Sequence, residues 1–351
     1  MGYQGSAFWR GKKVLVSGAT GFKGAWLCMW LAEMGAEVSG FSLPPTAEPN
    51  LFSLLQPLQI RHAHIDLADG GRVAAFVKEA APAFVFHLAA QSLVRPSYRD
   101  PLLTYQTNVM GTGNMLAALR DLSTLQAAVI ITTDKVYEND GSGRAFQEGD
   151  RLGGKDPYSN SKACAELLTQ SFRQSFFGAD APIATARAGN VVGGGDWSED
   201  RLVPDLVRAM LQGERLSLRY PEATRPWQHV LEPLSGYLML AEKLAESPSD
   251  ISKSFNFGPD HNSTLSVARV VEILNQALGL DEGWVRQEGD HPQEAPALAL
   301  DSTRAASELG WVPKMKMLDT IQWTAEWYRR WNAGENPRDI TLDQIKRYEV
   351  L

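Results

Sequence analysis

Lys13-Val14-Leu15-Val16-Ser17-Gly18-Ala19-Thr20-Gly21-Phe22-Lys23-Gly24 is the stretch on which the fold turns. Lys13 to Ser17 is a short apolar run of the kind that forms a buried strand. The glycines then follow as Gly-x-x-Gly-x-x-Gly, and Gly24 to Met34 reads as a helix closed by Gly35. A strand, a glycine turn and a helix N-terminus in that order can hold a dinucleotide. The glycines let the backbone approach a pyrophosphate, and the helix N-terminus faces its charge. A glycine-rich turn with no ligand is the plainer alternative; a second strand in register, Ala36 to Phe41, favours the dinucleotide. Gly18, Thr20, Gly21, Phe22, Lys23 and Gly24 are therefore candidate cofactor contacts.

The rhythm continues outward. Ile60–Ile65, Ala83–Leu88, Ala128–Thr133 and Pro182–Arg187 read as further strands, with helical stretches at Pro101–Leu122 and Tyr158–Phe177. Strand and helix alternating in this way imply an α/β fold, a Rossmann-type doubly wound parallel sheet covered on both faces. After Arg187 the pattern changes. Gly189–Trp197 is glycine-rich, Ser254–Gly258 returns as a strand, and Ser266–Leu278 and Leu318–Trp331 read as helices. Residues 1–187, with 230–260 returning, are expected to form the dinucleotide-binding domain. Residues 188–229 and 261–351 mainly form a smaller C-terminal substrate-binding lobe. Trp323, Trp327 and Trp331 recur at i, i+4, i+8, which reads as a core-facing stripe.

Composition removes several function classes. The 351 residues carry 34 Lys+Arg against 41 Asp+Glu, a net charge of −7, which argues against nucleic acid as a partner. No apolar run reaches the length of a membrane helix. Met1-Gly2-Tyr3-Gln4-Gly5-Ser6 fits a loose acylation pattern but lacks signal-peptide character, and the match is read as chance. Two isolated cysteines, Cys28 and Cys164, make no disulfide framework, so a cytoplasmic location is expected. His62, His64, His87, His261 and His291 show no metal spacing, and no metal is expected.

The acid that usually holds the adenosine ribose, about 20 residues past the glycines, is missing. The second strand ends Gly40-Phe41-Ser42-Leu43-Pro44, with no Arg or Lys to take a 2′-phosphate, which favours NAD over NADP. Asp66 and Leu67 are placed to meet an adenine after the third strand; an N-cap or loop aspartate is the plainer reading.

Tyr158 and Lys162 stand at i, i+4 on one helix face. An ammonium beside a phenol stabilises the phenolate, so this spacing predicts a Tyr with lowered pKa that exchanges a proton with an alcohol. The fifth strand ends in Thr133-Asp134-Lys135, a hydroxyl, a carboxylate and an amine where ligands of a parallel sheet bind.

With these motifs in order, the chain resembles the extended short-chain dehydrogenase/reductase family and, within it, the nucleotide-sugar 4,6-dehydratases. The resemblance rests on the glycine loop, His87-Leu88-Ala89-Ala90-Gln91, Asn108-Val109-Met110-Gly111-Thr112, Thr133 to Tyr137, and Tyr158 with Lys162. Longer strings, Asp134 to Asn139, Gly189 to Trp197 and Arg225 to Tyr237, are similar to the members that take CDP-glucose. Ala19 and Ser92 depart from the family pattern, which usually has His and Pro there.

The resemblance implies NAD as cofactor, CDP-glucose as favoured substrate, and hydride passed from C4 to NAD and back to C6 while water leaves C5 and C6. It assigns Tyr158 to the C4 proton, Lys162 to the nicotinamide ribose, Thr133 to the C4 oxygen and Asp134 to the leaving hydroxyl. Lys135 stands where related dehydratases have a glutamate base; it reads as a neutral base for the C5 proton, as a group that orients a water or stabilises the enolate, or as an ordinary surface cation. Leu88, Ala89, Ala90 and Gln91 join the cofactor contacts. Gln91, Arg95, Asn190, Arg219, Tyr220, Arg225 and His229 are the candidate substrate contacts, with Arg225 suited to a diphosphate. Helices from Pro101 and Tyr158 are expected to pair in a homodimer or dimer of dimers. Two rivals stay open: a nucleotide-sugar 4-epimerase or reductase, which needs no acid/base pair at 134–135, and an NAD-sensing scaffold, which needs neither Tyr158 nor Lys162.

Overall fold

The computed structural model describes residues 5–45, 48–178, 180–260, 264–280, 283–287 and 298–351. Met1 and Gly2 of the acylation pattern, His261 and His291 lie outside the described residues.

Strand β1 (Lys13–Ser17) leads into α1 (Phe22–Glu33) and β2 (Glu37–Ser42), followed by β3 (Arg61–His64), α2 (Gly70–Ala80) and β4 (Phe84–His87). Next come α3 (Pro101–Tyr105), a π-helical turn (Gln106–Met110), α4 (Gly111–Leu119), β5 (Ala127–Ile131), α5 (Pro157–Phe172) and β6 (Ile183–Ala188). The last part of the chain contributes β7 (Asn190–Val192), α6 (Leu202–Gln212), β8 (Thr224–His229), α7 (Leu231–Glu246) and β9 (Ser254–Phe257). It ends with β10 (Thr264–Ser266), α8 (Val267–Leu278), α9 (Met317–Asn332) and α10 (Pro337–Glu349).

Seven strands form one parallel sheet in the order β9-β6-β5-β4-β1-β2-β3. The order reverses between β1 and β4, which opens a crevice at their carboxyl ends. Alternate residues of each strand serve opposite faces. Leu15, Val85, Ala128 and Ile130 pack under α2 and α4, where Val73, Phe76, Met115 and Leu116 meet them. Val14, Val16, Phe84, Phe86 and Val129 face the other way, onto Trp26, Leu27 and Trp30 of α1 and Leu234 and Leu238 of α7. Each such side chain contributes about 2 kcal/mol by leaving water.

Several elements were not anticipated. Helix α2 opens with two glycines, poor helix formers, and is held instead by Asp69, whose side chain accepts from the Arg72 N–H. Helices α6, α7 and α10 were also unread, and so was a three-stranded sheet, β10-β8-β7, whose strands are too short to show a period. The expected helix Pro101–Leu122 is interrupted by the π turn, which carries Asn108. The tryptophan stripe does face inward. Trp327 is fully buried, Trp331 packs edge-on to Trp197 at 4.9 Å, and Trp323 packs on His229. Among the described residues no helix is long and apolar enough to cross a membrane.

Candidate active site

The glycine loop is built for close approach. Gly18 holds φ +78°, in the left-handed region, and its carbonyl accepts from the Gly21 N–H at 3.0 Å. A Cβ on Gly24 would stand 2.0 Å from the Gly18 carbonyl oxygen, and one on Gly18 would stand 2.7 Å from the Ala89 nitrogen. Helix α1 begins at Phe22 with no side-chain cap, so its first N–H groups are left for a ligand. The cradle therefore fits a dinucleotide diphosphate. Leu88, Ala89 and Ala90 follow β4 beside it, with the Ala89 N–H donating to Ser17 Oγ. Leu67 is buried, and Asp66 is exposed with Oδ1 accepting from the Ala68 N–H at 2.9 Å. Gln91 shapes its own loop: its Nε2 donates to Thr104, its Oε1 accepts from the Leu93 N–H, and its backbone exchanges two hydrogen bonds with Asn108. His87 is satisfied between Ser17 and Thr112, and burial pushes its pKa down to about 3.

Across the crevice, Asp156 caps α5, with its Oδ1 accepting from the Ser159 N–H and Pro157 at the first turn. That fixes Tyr158 and Lys162 on the buried face. The end of β5 turns sharply, and Thr133 and Asp134 are buried there. Thr133 Oγ1 lies 2.9 Å from Asp134 Oδ1, to which it donates, and it also hydrogen-bonds Tyr158. Lys135 Nζ lies 3.8 Å from Asp134 Oδ1. Asp134 Oδ2 is 3.1 Å from where a Cβ on Gly189 would stand, so the glycine leaves room for the carboxylate.

The expected lowering of the Tyr158 pKa is corrected. Burial dominates and pushes it up to about 12, opposed by the Thr133 hydrogen bond and by Arg201 and aided by Asp134 and Asp156. The Lys162 ammonium turns into the core, where Nζ donates to the Ile131 carbonyl at 2.9 Å. Burial lowers its pKa to about 8, and Glu166, one turn on, works the other way.

On the lobe side, Asn190 opens β7 and pairs in register with Trp227 of β8; Arg225 lies two residues earlier, half-buried. Arg219 and Tyr220 are half-buried in the segment leading to β8. One expectation does not hold. His229 is sealed between Trp26 and Trp323, with its pKa pushed to about 3 by burial, so it is a core residue and no substrate contact. Arg95 is committed to Asp200 at 2.7 Å.

Three groups at the site were missed in the sequence. Arg201 acts on both Tyr158 and Lys23. Tyr237 of α7 sits by Tyr158, with its oxygen 3.3 Å from Lys23 Nζ. Glu166 receives Thr132, Thr185 and both arms of Arg187. Lys23 itself faces this cluster. Burial, then Arg201 and Lys162, lower its pKa to about 7, against the pull of Asp134. Only the spacing of Glu166 from Lys162, four residues on one helix, was readable beforehand.

The chain is 42% identical over 348 residues to a CDP-glucose 4,6-dehydratase of Salmonella typhimurium, covering 97% of each. A dTDP-glucose 4,6-dehydratase of Xanthomonas campestris is 27% identical, over 94% of this chain and 98% of its own. Among solved structures, a Bacillus anthracis dTDP-glucose 4,6-dehydratase in complex with NAD superposes with TM-score 0.77 at 22% identity, covering 93% of this chain and 99% of that one. A Thermotoga maritima UDP-glucose 4-epimerase does so at 0.79 and 21%, covering 91% and 99%. These two share the fold. The profile of the GDP-mannose 4,6 dehydratase family matches residues 15–324. With the glycine loop, the Tyr158/Lys162 pair and the Thr133-Asp134-Lys135 turn in one crevice, the chain belongs to the GDP-mannose 4,6 dehydratase family, on the extended short-chain dehydrogenase/reductase fold.

Proposed function

We propose that the protein removes water from CDP-glucose to give CDP-4-keto-6-deoxy-glucose, with NAD as a resident cofactor. One observation carries the reading: an acid/base pair, Asp134 and Lys135 at 3.8 Å, stands beside the redox-type Tyr158/Lys162 pair and is tied to it through Thr133. A 4-epimerase needs the second pair and not the first. The base preference follows from the 42% identical relative.

Gly18, Thr20, Gly21, Phe22, Lys23 and Gly24 would hold the cofactor diphosphate, Asp66 and Leu67 its adenine, and Leu88 to Gln91 the facing loop. Bound there, NAD would supply a reversible hydride acceptor for C4 and donor for C6. Thr133 and Tyr158 hold the C4 oxygen; Tyr158, a phenol with a pKa of about 12 by burial, would take the C4 proton as phenolate once the positive charge of the bound cofactor favours that form. Asp134, buried beside Thr133, would protonate the departing C6 oxygen from its acid form, and Lys135, in its neutral form, would take the C5 proton, so that one proton leaves Asp134 as one arrives on Lys135. Water is lost and the sugar is neither oxidised nor reduced overall. Asn190, Arg219, Tyr220 and Arg225 line the nucleotide side.

The same reading divides the chain into a cofactor domain, 1–187 with 230–260, and a substrate lobe, 188–229 with 261–351. It also predicts a homodimer or dimer of dimers through α3, the π turn and α5, where Leu102, Met110 and Leu167 are 80%, 62% and 54% exposed. A cytoplasmic location agrees with two free thiols, Cys28 and Cys164.

The test is incubation with CDP-glucose in deuterated water, followed by mass spectrometry. Loss of water with one deuterium gained at C5 is the expected product; an isomer of unchanged composition would replace the dehydratase with an epimerase. UDP- and dTDP-glucose run alongside decide the base, and Lys135→Met should abolish C5 exchange.

A further inference from the structure

In dinucleotide folds an acid at the end of the second strand accepts a hydrogen bond from the adenosine ribose, and its charge repels a 2′-phosphate. Here that place is taken by Ser42, the last residue of β2. Ser42 Oγ accepts from the N–H of Thr20 in the glycine loop at 3.2 Å, and Thr20 Oγ1 donates to the next carbonyl, Leu43. The strand lies so near the loop that a Cβ on Gly40 would stand 2.8 Å from that of Ala19. On the other side Ser42 Oγ meets His62 Nε2 of β3 at 3.1 Å. His62 is fixed by Phe52, ring centres 4.8 Å apart, and by His64 at 5.0 Å.

The proton count follows. In the tautomer with the imidazole hydrogen on Nδ1, Ser42 donates to Nε2. The serine has then used its one hydrogen and one lone pair, and a single lone pair remains. Toward a ribose hydroxyl it is an acceptor, as a carboxylate is, but a neutral one. Burial and the neighbouring His64 both hold the His62 pKa below the usual imidazole value, so His62 brings no charge either. At that strand end Arg72 donates to the His64 carbonyl at 2.9 Å and is exposed, while Arg61, at the far end of β3, is paired with Glu79.

We propose that the Ser42–His62 pair is the ribose-reading element of the cofactor site. Because it is uncharged, it accepts NAD+ and NADP+ alike, with dissociation constants within about tenfold of each other, since like-charge repulsion is the main device for rejecting the wrong partner. The inference rests on the NAD reading above and narrows it. Residues 42–44 offer no cation, so NADP+ is tolerated and not preferred.

The test is binding, followed by tryptophan fluorescence or calorimetry on the full chain with NAD+, NADP+ and ADP as probes. The wild type should give a NADP+/NAD+ ratio of dissociation constants below about tenfold. Ser42→Asp restores the charge and should raise that ratio to about a hundredfold or more, chiefly through loss of NADP+. His62→Phe keeps the ring contacts and frees the serine, and should weaken NAD+ and ADP several-fold with the ratio unchanged. A wild-type ratio above tenfold, a Ser42→Asp ratio equal to wild type, or a His62→Phe chain that binds like wild type overturns the proposal. Absence of binding by all three probes would overturn the cofactor reading, and this assignment with it.

Discussion

Arg95 Nη1 and Asp200 Oδ1 are 2.7 Å apart and join the short helix after β4 to the turn before α6, across the mouth of the crevice. The neighbouring Arg201 reaches Asp196 and Ser92, so two arginines tie the sheet side to the lobe side. Asp200 holds φ +58°, a conformation that Asp tolerates better than most residues. Both partners are partly exposed, so the pair itself is worth at most about 1 kcal/mol. It acts as a clasp. Asp200→Asn keeps the shape and removes the charge. It should leave the melting temperature within about 2 °C, hold kcat and raise the KM for the sugar nucleotide about fivefold. Steady-state kinetics check this, and a fall in kcat at unchanged KM would assign Asp200 to the chemistry.

Gly189 faces Asp134, and the 3.1 Å approach leaves no slack for a methyl group. Gly189→Ala should displace the carboxylate from Thr133 and reduce kcat about a hundredfold, the usual weight of a general acid. Cofactor titration should be little changed, because the diphosphate cradle is shaped by the backbone of Gly18, Gly21 and Gly24. Full activity in the variant would mean that Asp134 does not need its present position.

The Lys162 pKa, lowered to about 8 from an unfolded value of 10.5, has two consequences. The folded chain binds fewer protons than the unfolded chain between these values, so this group's contribution to stability rises with pH across that window. Catalysis runs the other way. The ammonium is lost above about 8, and kcat/KM should fall there. A pH profile of kcat/KM checks it. Lys162→Arg, which stays charged, should turn over more slowly and show no fall up to pH 10.

Glu232 sits at the start of α7 and accepts from the N–H groups of Lys314 and Met315 through Oε1 and from Tyr348 through Oε2. Burial nonetheless raises its pKa to about 7. A raised acid binds its proton more tightly in the folded state, so the stability it lends is present below about 4.5 and is lost as pH rises to about 7. Glu232→Gln keeps the Oε1 acceptor and offers Tyr348 a donor. It should raise the melting temperature at pH 8 and flatten its dependence between pH 5 and 7; an equal slope in variant and wild type would place the titration elsewhere.

The sheet was legible because its strands are continuous buried runs, and a run such as Ala127–Ile131 has one stable use. The lobe was not, because strands such as Asn190–Val192 have no period and take their form from partners, here Trp227 to His229. The loop and the Tyr158/Lys162 pair were legible because their chemistry depends on spacing along one element. Arg201 and Tyr237 reach the same place through packing across the chain, which no spacing encodes. The direction of the Tyr158 pKa failed for the same reason: the i, i+4 rule puts a lysine near, but burial decides where its ammonium points.

Trp26 of α1 donates through Nε1 to the Gly194 carbonyl, and the apolar layer beneath that helix runs on without a break through Trp197, Trp327 and Tyr328 into the lobe. The walls of the crevice are therefore one solid body. Parting them would bring this apolar layer into water, so the side chains at the mouth, Arg95 with Asp200 and Arg201 with Ser92, move at far lower cost than the walls do.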